Sequence, residues 1–460
     1  MNAIASPSPF ELRARELRHA AITAGREATS ELFVIRFPAR ARGAEFLLGL
    51  GLAEHGCYFA APAGTERAGI GAVRVLTAAG SERFQSVRQQ AEALFAELSP
   101  AAEIRLFGGF AFQPGRSQSE TWRPFGEARF VLPRVTYERT GDRAHVALVL
   151  AKSELSDGRL ETAIELTSRV LEALERPAEV APGSQSSRSV AGNAELREGS
   201  AESWRAQVRA IGDAIDRGEL EKLVLARRVD VELKAAFSPA VVLERLRDLA
   251  PECARFCFSS GGPAFLGATP ERLVTKRGSA FETEAVAGSL DVGTEPVARL
   301  LESPKNREEQ AIVLRELLRD LEPLAGSIEH RALPEVHVLK HVAHLRTRVQ
   351  GTLNSRRHVL ELVERLHPTP AVAGTPTERA LAWIAENEPD ERGWYAGPVG
   401  WFDGQGDGEF VVALRSGVLT EHHLSLYAGA GIVRGSEADN ELAETRWKLA
   451  ALLGALGVPA

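Results

Sequence analysis

The chain alternates between segments whose apolar residues recur at every second position and segments whose apolar residues recur at helical spacing. In the first 180 residues, strands are predicted at Leu32–Phe37, Phe46–Leu50 and Gly56–Ala60, and a helix is predicted at Ser86–Leu98. A period of two suits a pleated strand, whereas recurrence at three and four residues suits one face of a helix. The first part of the chain is therefore predicted to mix strands and helices.

A helix and a strand follow each other at the start of the second half. Trp204–Arg217 carries apolar residues along one side of a predicted helix, and Glu221–Arg227 is predicted to be a strand. In that strand Lys222, Val224 and Ala226 share one face. A lysine at this place lies either at the sheet margin with its amine in water or in a cavity, where burial favours the neutral amine. The pattern alone leaves both alternatives open.

The composition bounds the class of protein. A chain of 460 residues with 44% hydrophobic content can bury a large core. Its 55 basic and 62 acidic residues give a net charge of −7 without a long run of one sign. This balance argues against nucleic acid or an anionic membrane as the main partner.

Cysteine content and hydropathy predict a soluble cytoplasmic protein. The three cysteines, Cys57, Cys253 and Cys257, are too few and too poorly spaced for a disulfide framework or a zinc site. The N-terminus lacks the apolar core of a secretory signal, and no run of about 18 apolar residues occurs. Residues 180–200 are rich in Pro, Gly and Ser and are predicted to form a surface connection.

The stretch from residue 408 to residue 448 suggests a site for an anion. A strand carrying Arg415 is followed by a predicted glycine-rich turn, Ala428–Gly431, and then by a helix. Arginine can clamp a carboxylate, and glycines let backbone N–H groups approach a ligand. One helix face carries Glu441, Glu444 and Lys448. These carboxylates suit an anion pocket if a hard cation such as Mg2+ lies between, but Glu444 and Lys448 also suit an ordinary surface ion pair.

Three further segments hold candidate chemistry. Glu271 follows a predicted hairpin and a proline turn, and a glycine turn is predicted at Ala285–Ser289. Glu309 lies near the start of a predicted helix, where negative charge is favourable in any case. The histidines between Val336 and Arg346 lack a matching carboxylate or cysteine, which makes a zinc site improbable.

Seven motifs follow one another along the second half of the chain: EKLVLAR, GATPERL, AVAGS, SPKNREEQAIV, LHPTPAVAGTP, GWYAGPVGWFDGQGDGEFVVALRS and AGAGIVRGSEADNELAETRWK. In this order they resemble the motifs of the chorismate-utilising enzymes, the family of anthranilate synthase component I. The resemblance covers residues 200–455 densely, and FGGFAF and ARFVLPR extend a weaker similarity into the first half. Within the family, LHPTPAVAGTP and GDGEFVVALRS are most similar to isochorismate synthases.

The resemblance implies a fold and a domain arrangement. An α/β (α+β) body is expected, in which two large antiparallel sheets pack face to face with helices outside. Residues 1–460 would form one interlocked domain, with an N-terminal half at 1–180 and a catalytic, chorismate-binding region at 200–455.

The resemblance also implies roles for individual residues. Lys222 would be the general base that activates water, and Glu271 the general acid that protonates the departing hydroxyl. Glu309 and Glu444 would hold Mg2+, which binds the ring carboxylate of chorismate. The substrate would further contact Arg415, Tyr395, the backbone around Ala430 and Gly431, Lys448, Gly288 and His344.

Several alternatives stay open at this point. Salicylate synthases share the acid and the base and then eliminate pyruvate, and a non-catalytic chorismate-binding subunit is a third possibility. Menaquinone biosynthesis is favoured over siderophore biosynthesis. No glutamine amidotransferase partner is expected, since water is the nucleophile. Ala287 excludes the lysine that aminodeoxychorismate synthases often carry there, and Gln310 stands where many relatives have histidine.

Overall fold

The computed structural model describes residues 8–62, 64–99, 104–176, 194–234, 236–293, 296–340 and 342–458. The predicted surface connection at residues 180–200 falls mostly outside these ranges. Within them, none of the helices combines the length and the apolar character that crossing a bilayer requires.

Helices occur throughout the described chain, and polar residues cap several of them. Ser200 and Ser303 each accept a backbone N–H bond at the start of a helix, α4 and α7 respectively. The α-helices are α1 (Pro9–Glu27), α2 (Arg83–Ala96), α3 (Arg159–Glu175), α4 (Ala201–Asp216), α5 (Pro239–Leu249), α6 (Arg299–Glu302), α7 (Pro304–Leu321), α8 (Val359–Leu366), α9 (Thr377–Asn387) and α10 (Ala438–Leu456).

The strands form two sheets. In spatial order, the first contains β10 (Glu195–Glu198), β11 (Lys222–Glu232), β23 (His423–Ile432), β22 (Ser416–Leu419), β13 (Ala264–Thr269), β12 (Ala254–Ser260), β2 (His55–Ala60), β3 (Glu66–Ile70), β8 (Val135–Thr140), β9 (Arg143–Ala151), β1 (Leu32–Ala39) and β5 (Leu98–Ser99), with β19 (Gly374–Thr375) also paired to β11. The second contains β16 (Ala325–His330), β18 (Val342–Leu353), β15 (Ala280–Asp291), β14 (Arg272–Arg277), β21 (Gly408–Val412), β20 (Pro398–Asp403), β6 (Arg105–Phe110), β7 (Ala128–Leu132) and β4 (Arg74–Ala78), with β17 (Glu335–Val338) paired to β18.

Both sheets draw strands from the two halves of the sequence. In the first sheet β2 pairs with β12, and in the second β6 pairs with β20. Neighbouring strands are antiparallel, apart from the parallel pair β1–β5. The sheets pack face to face with helices outside, which confirms the expected fold.

Aromatic side chains fill much of the space between the sheets. Phe265 of the first sheet packs edge-on against Trp122 and Trp394, with ring centroids 5.3 and 6.1 Å away. Such large buried apolar side chains contribute roughly 1.5–3 kcal/mol each to folding. The predicted apolar face of α4 is also buried, through Trp204, Val208, Ile211 and Ile215.

Two predictions of local structure were wrong here, and a third, the turn at Ala285–Ser289, is corrected with the site below. Phe46–Leu50 belongs to a 3-10 helix, Glu45–Leu50, that ends at the left-handed Gly51; so short an apolar run does not distinguish a strand from a helix. The predicted glycine turn Ala428–Gly431 lies inside β23, because its backbone pairs with β11 along its length.

Candidate active site

Glycines in β23 let other groups approach the face of the first sheet. Val224 and Ala226 of β11 pair with Gly431 and Gly429 of β23. A Cβ on Gly431 would collide with Oε1 of Glu309, and one on Gly429 would lie 3.2 Å from the Tyr395 hydroxyl. The segment Ala428–Gly431, predicted as a turn, is therefore part of a strand whose glycines leave space for the side chains of Glu309 and Tyr395.

Lys222 and Glu309 form a buried ion pair at this place. The Lys222 Nζ lies 2.8 Å from Oε1 of Glu309, and only 1% of the lysine side chain is exposed. The other carboxylate oxygen, Oε2, accepts a 3.1 Å bond from the Gly288 N–H. Burial by itself would raise the pKa of Glu309, but the ammonium groups of Lys222, Lys448 and Lys305 lower it below its ordinary value.

Gly288 marks an irregularity in β15 that aims its backbone at the site. The register with β18 shifts between Ala287 and Ser289, and Gly288 has φ +73°. A Cβ there would lie 3.0 Å from the Cβ of Asn306 on α7, so the strand and the helix can be this close only with glycine. The predicted turn at Ala285–Ser289 is therefore wrong as a chain reversal, since the segment is a bulge within a strand.

Glu271 is a buried carboxyl whose acidity is strongly changed. It lies between β13 and β14 with 5% of the residue exposed. Burial and then the nearby carboxyl of Glu284 raise its pKa to about 8, against the opposing effect of Lys222, Lys448 and Arg415. A group with this pKa is mostly protonated at neutral pH and can donate a proton.

Arg415 and His344 hold each other in place. Arg415 has a left-handed backbone, with φ +48°, and its Nη2 donates to Nε2 of His344 over 2.9 Å. The other imidazole nitrogen, Nδ1, lies 3.0 Å from the Gly288 carbonyl. Burial, followed by the Arg415 charge, lowers the pKa of His344 well below its usual range. Neutral His344 with its proton on Nδ1 satisfies both bonds.

The charged face of α10 carries two lysine–carboxylate pairs. Lys448 lies 2.7 Å from Glu444 and donates to the Gly429 carbonyl over 2.9 Å, while Lys305 lies 2.6 Å from Glu441. The Glu444 and Lys448 side chains are only 16% and 21% exposed. The i,i+4 pair foreseen from the sequence exists, but it faces the interior of the molecule.

These groups surround a single cavity of about 730 Å3. Nine of the eleven residues predicted for the site line it: Glu271, Gly288, Glu309, His344, Tyr395, Arg415, Gly431, Glu444 and Lys448. Lys222 lies behind Glu309, to which its Nζ is bonded. Ala430 pairs with Leu225 and packs in the hydrophobic core, because alternate residues of a strand face opposite sides.

One charged cavity residue was missed from the sequence. Buried Arg392 also lines the cavity and bonds both oxygens of Glu388, at 2.7 and 2.5 Å. It donates at 2.7 Å to the carbonyls of Val224 and Val372, which ties β11 to the proline-rich loop before β19. Arg392 immediately precedes the motif GWYAGPVGW, and that position was the available signal.

Gln310, the residue that departs from the resemblance, is also buried. Its Nε2 donates to the Ala285 carbonyl at 3.0 Å and to the Thr347 hydroxyl at 3.1 Å. These bonds hold α7 against β15 and β18 at the residue that follows Glu309.

The donor set for a metal is limited to carboxylates. In the described ranges, no three His, Cys, Asp or Glu side chains converge as a preformed metal centre. Glu309 and Glu444 nevertheless line the same cavity. Carboxylate oxygens are the ligands that Mg2+ prefers, and it commonly uses one or two of them together with water and substrate. The residues present thus fit Mg2+ and do not suit zinc.

The chain is similar to several known proteins. The family profile described as "Chorismate binding enzyme" matches residues 44–457. The chain is 35% identical over 385 residues to the salicylate biosynthesis isochorismate synthase of Pseudomonas aeruginosa, covering 82% of this chain and 80% of that protein. It is 32% identical over 361 residues to isochorismate synthase MenF of Bacillus subtilis, covering 76% and 74%.

A solved structure has the same fold. The menaquinone-specific isochorismate synthase MenF of Escherichia coli superposes with a TM-score of 0.77 at 27% identity, covering 95% of this chain and all of that one. The profile match, the two relatives and this superposition show that the chain belongs to the chorismate-binding enzyme family.

Proposed function

We propose that this protein is an isochorismate synthase, an isomerase that adds water at C2 of chorismate and expels the C4 hydroxyl. The observation that carries the proposal is Glu271, a buried carboxyl with a pKa of about 8 that faces the same cavity as Glu309, the partner of Lys222. An acid on the cavity wall and a potential base directly behind that wall suit a hydroxyl transposition without a redox step. The names of the relatives support the same reaction.

Glu271 is the general acid in this proposal. Hydroxide is a poor leaving group, so the C4 oxygen must be protonated as its bond to carbon breaks. A carboxyl that keeps its proton at neutral pH can do this, whereas a carboxylate with its ordinary pKa of 4.5 cannot.

Lys222 is the general base. Its amine must be neutral to take a proton from water, and its Nζ lies 2.8 Å from the Glu309 carboxylate. Lys222 is also the first residue of β11 and pairs with Thr375 of β19, so its amine is positioned by a strand rather than by a mobile loop.

Mg2+ is the proposed cofactor, with Glu309 and Glu444 as its protein ligands. When bound, it would neutralise the ring carboxylate of chorismate. The negative charge of Glu309 would then be shared between the cation and Lys222. The lysines beside these glutamates, Lys222 and Lys448, keep the carboxylates oriented toward the cavity.

The remaining cavity residues bind the substrate. Arg415, oriented by His344, and Lys448 supply positive charge for the enolpyruvyl carboxylate, and the Tyr395 hydroxyl lies above Gly429. Backbone groups of Gly431 and Gly288 complete the substrate-binding site. The backbone of Ala430 lies between Gly429 and Gly431, which both line the cavity. No glutamine amidotransferase is needed, because the nucleophile is water.

The proposed pathway is menaquinone biosynthesis, which the MenF relatives support. The Pseudomonas aeruginosa relative is named for salicylate biosynthesis, and an isochorismate synthase could equally supply that route or a siderophore route.

Product analysis tests the activity. The purified protein is incubated with chorismate and Mg2+, with and without ammonium, and the products are separated by chromatography. We expect isochorismate in equilibrium with chorismate, unaffected by ammonium, and no activity after chelation. Salicylate with pyruvate would instead identify a salicylate synthase, an amino product would contradict the role of Lys222, and binding without turnover would identify a non-catalytic subunit.

A further inference from the structure

One face of β15 connects the active-site cavity with a second cavity. Val286 and Gly288 line the first cavity, whereas Glu282 and Glu284, on the same face of the strand, line the second. The second cavity measures about 970 Å3. Its rim reaches solvent, since the side chains of Glu282 and Arg348 are 61% and 70% exposed.

Glu271 forms part of the wall between the two cavities, because it lines both. Glu284 lies next to it: Oε1 of Glu284 accepts a 2.9 Å bond from the backbone N–H of Arg272, the residue after Glu271. The side chain of Glu284 is only 9% exposed. The two glutamates also line a third, smaller cavity of about 290 Å3 together. Glu271 and Glu284 therefore both border the solvent-connected space, and Glu284 is held at the backbone beside Glu271.

The proposed reaction leaves Glu271 deprotonated at the end of each turnover. Glu271 gives its proton to the departing hydroxyl, which leaves as water, and Lys222 takes one proton from the water that attacks. No net proton is consumed, but Glu271 must regain one and Lys222 must release one. Product in the first cavity blocks direct access of solvent to Glu271 from that side.

We infer, building on the proposed function, that Glu284 is a positioning residue that keeps Glu271 in its acid form and passes it a proton from water in the second cavity after each turnover. The proton moves from water to one oxygen of Glu284 and from its carboxyl group to Glu271, directly or through one intervening water. Glu284 is thereby restored for the next cycle, and Lys222 returns its proton to solvent.

The charges around the pair are balanced between both signs. The positive charges near Glu271 are those of Lys222 on β11, Lys448 on α10 and Arg415 before β22. Those near Glu284 are Arg272 on β14 and Arg346 and Arg348 on β18. The other titratable residues that line the second and third cavities are Glu252, Glu282, His337, Glu409 and Asp320. Burial raises the pKa of Glu284 as well as that of Glu271, and the arginines oppose this at Glu284. Proton transfer between neighbouring carboxyls requires that each can hold the proton, and burial favours the protonated form of both.

The variant Glu284→Gln tests the inference, with Glu282→Gln as its matched control. Glutamine keeps an oxygen for the Arg272 N–H but carries no proton to pass on. Glu282 is also a glutamate, lies on the same face of β15 and lines the same second cavity, but it pairs with Arg272 at the surface. We expect Glu284→Gln to lower kcat at least about tenfold with KM changed less than about threefold, and to move the alkaline limb of the pH–rate profile about one unit to lower pH. Glu282→Gln should match the parent protein.

Two further measurements test the proton relay and the protonation of Glu271 separately. Raising the concentration of imidazole buffer should restore turnover to Glu284→Gln, as an external proton donor, and should leave the parent unaffected; no response to buffer would overturn the relay. Independently of any activity, the 13C carboxyl resonance of Glu271, assigned by its loss in Glu271→Gln, should titrate at lower pH in Glu284→Gln. An unchanged titration would overturn the inference. Absence of isochorismate with the parent protein would instead overturn the proposed function alone.

Discussion

Lys222 and Glu309 meet at 2.8 Å in the interior because the strand beside Lys222 carries no side chain at Gly431. Gly431 pairs with Val224, two residues beyond Lys222, and its missing Cβ leaves the space that the Glu309 carboxylate occupies. The approach of the Glu309 carboxylate from α7 to the first sheet thus depends on this glycine.

Gly431→Ala should therefore displace Glu309 and separate it from Lys222. We expect isochorismate formation to fall at least about a hundredfold, since small displacements of catalytic groups are costly. Turnover and urea unfolding of the purified variant provide the measurement. Gly212→Ala is the control: it lies within α4 with no atom within 4 Å of the added Cβ, so it should keep full activity and gain about 0.5–1 kcal/mol of stability.

Lys222→Ala should abolish water addition and leave chorismate binding intact. Loss of a general base costs about 10²–10⁴-fold in rate. Turnover is measured by chromatography and binding by calorimetry in the presence of Mg2+. Lys276→Ala is the matched control, since Lys276 is also buried in an ion pair, 2.6 Å from Asp407, but its partner carboxylate does not line the cavity. Parent-like turnover in Lys222→Ala would remove it from the base role.

The raised pKa of Glu271 should appear in both activity and stability. The rate should fall as pH rises through about 8, because ionised Glu271 cannot donate a proton. The folded chain keeps this proton up to about pH 8, whereas the unfolded chain releases it near 4.5, so the group destabilises the fold progressively over this interval. Glu271→Gln should lose activity yet be more stable than the parent at pH 8, by on the order of 4 kcal/mol, with little difference at pH 4.

Glu45→Gln provides the comparison for that experiment. Burial, followed by the charge of Glu66, raises the pKa of Glu45 to about 7, and Glu45 does not line the cavity. Its replacement should alter the pH dependence of urea unfolding but not the alkaline limb of the rate. A shared effect on the rate would mean that the limb does not report Glu271.

Glu444→Ala should weaken Mg2+ and chorismate binding together. The dependence of turnover on Mg2+ concentration is the measurement, and we expect half-saturation to need at least about tenfold more metal. Asp439→Ala, on the exposed side of the same helix and paired with Arg205 at 2.8 Å, should leave it unchanged. Unchanged Mg2+ dependence in Glu444→Ala would show that Glu444 serves only its pair with Lys448.

His344→Phe should act through Arg415. Without the acceptor at Nε2, the guanidinium loses its 2.9 Å bond, so we expect KM for chorismate to rise about tenfold with a smaller change in kcat. Because the pKa of His344 lies well below its usual range, KM of the parent should show no inflection between pH 6 and 7. His358→Asn, at a buried histidine that caps α8, should keep the parent KM.

The sequence by itself determined the local elements and the membership of the site. Alternation in β11 put Lys222 and Val224 on one face, apolar spacing defined α4, and ordered motifs indicated the family and the residues around its cavity. These features depend on neighbours in the chain, which is why periodicity and motif order reveal them.

Only the tertiary structure decided how those residues act on one another. Ala428–Gly431 has the composition of a turn, but pairing with β11 makes it a strand, and Ala430 consequently faces the core. The pairing of Lys222 with Glu309, the bond from Arg415 to His344 and the effect of Glu284 on Glu271 join residues far apart in the chain. Hydrogen bonding and charge interaction act over a few ångströms in a water-poor interior, so the protonation states at this site follow from packing and not from residue order.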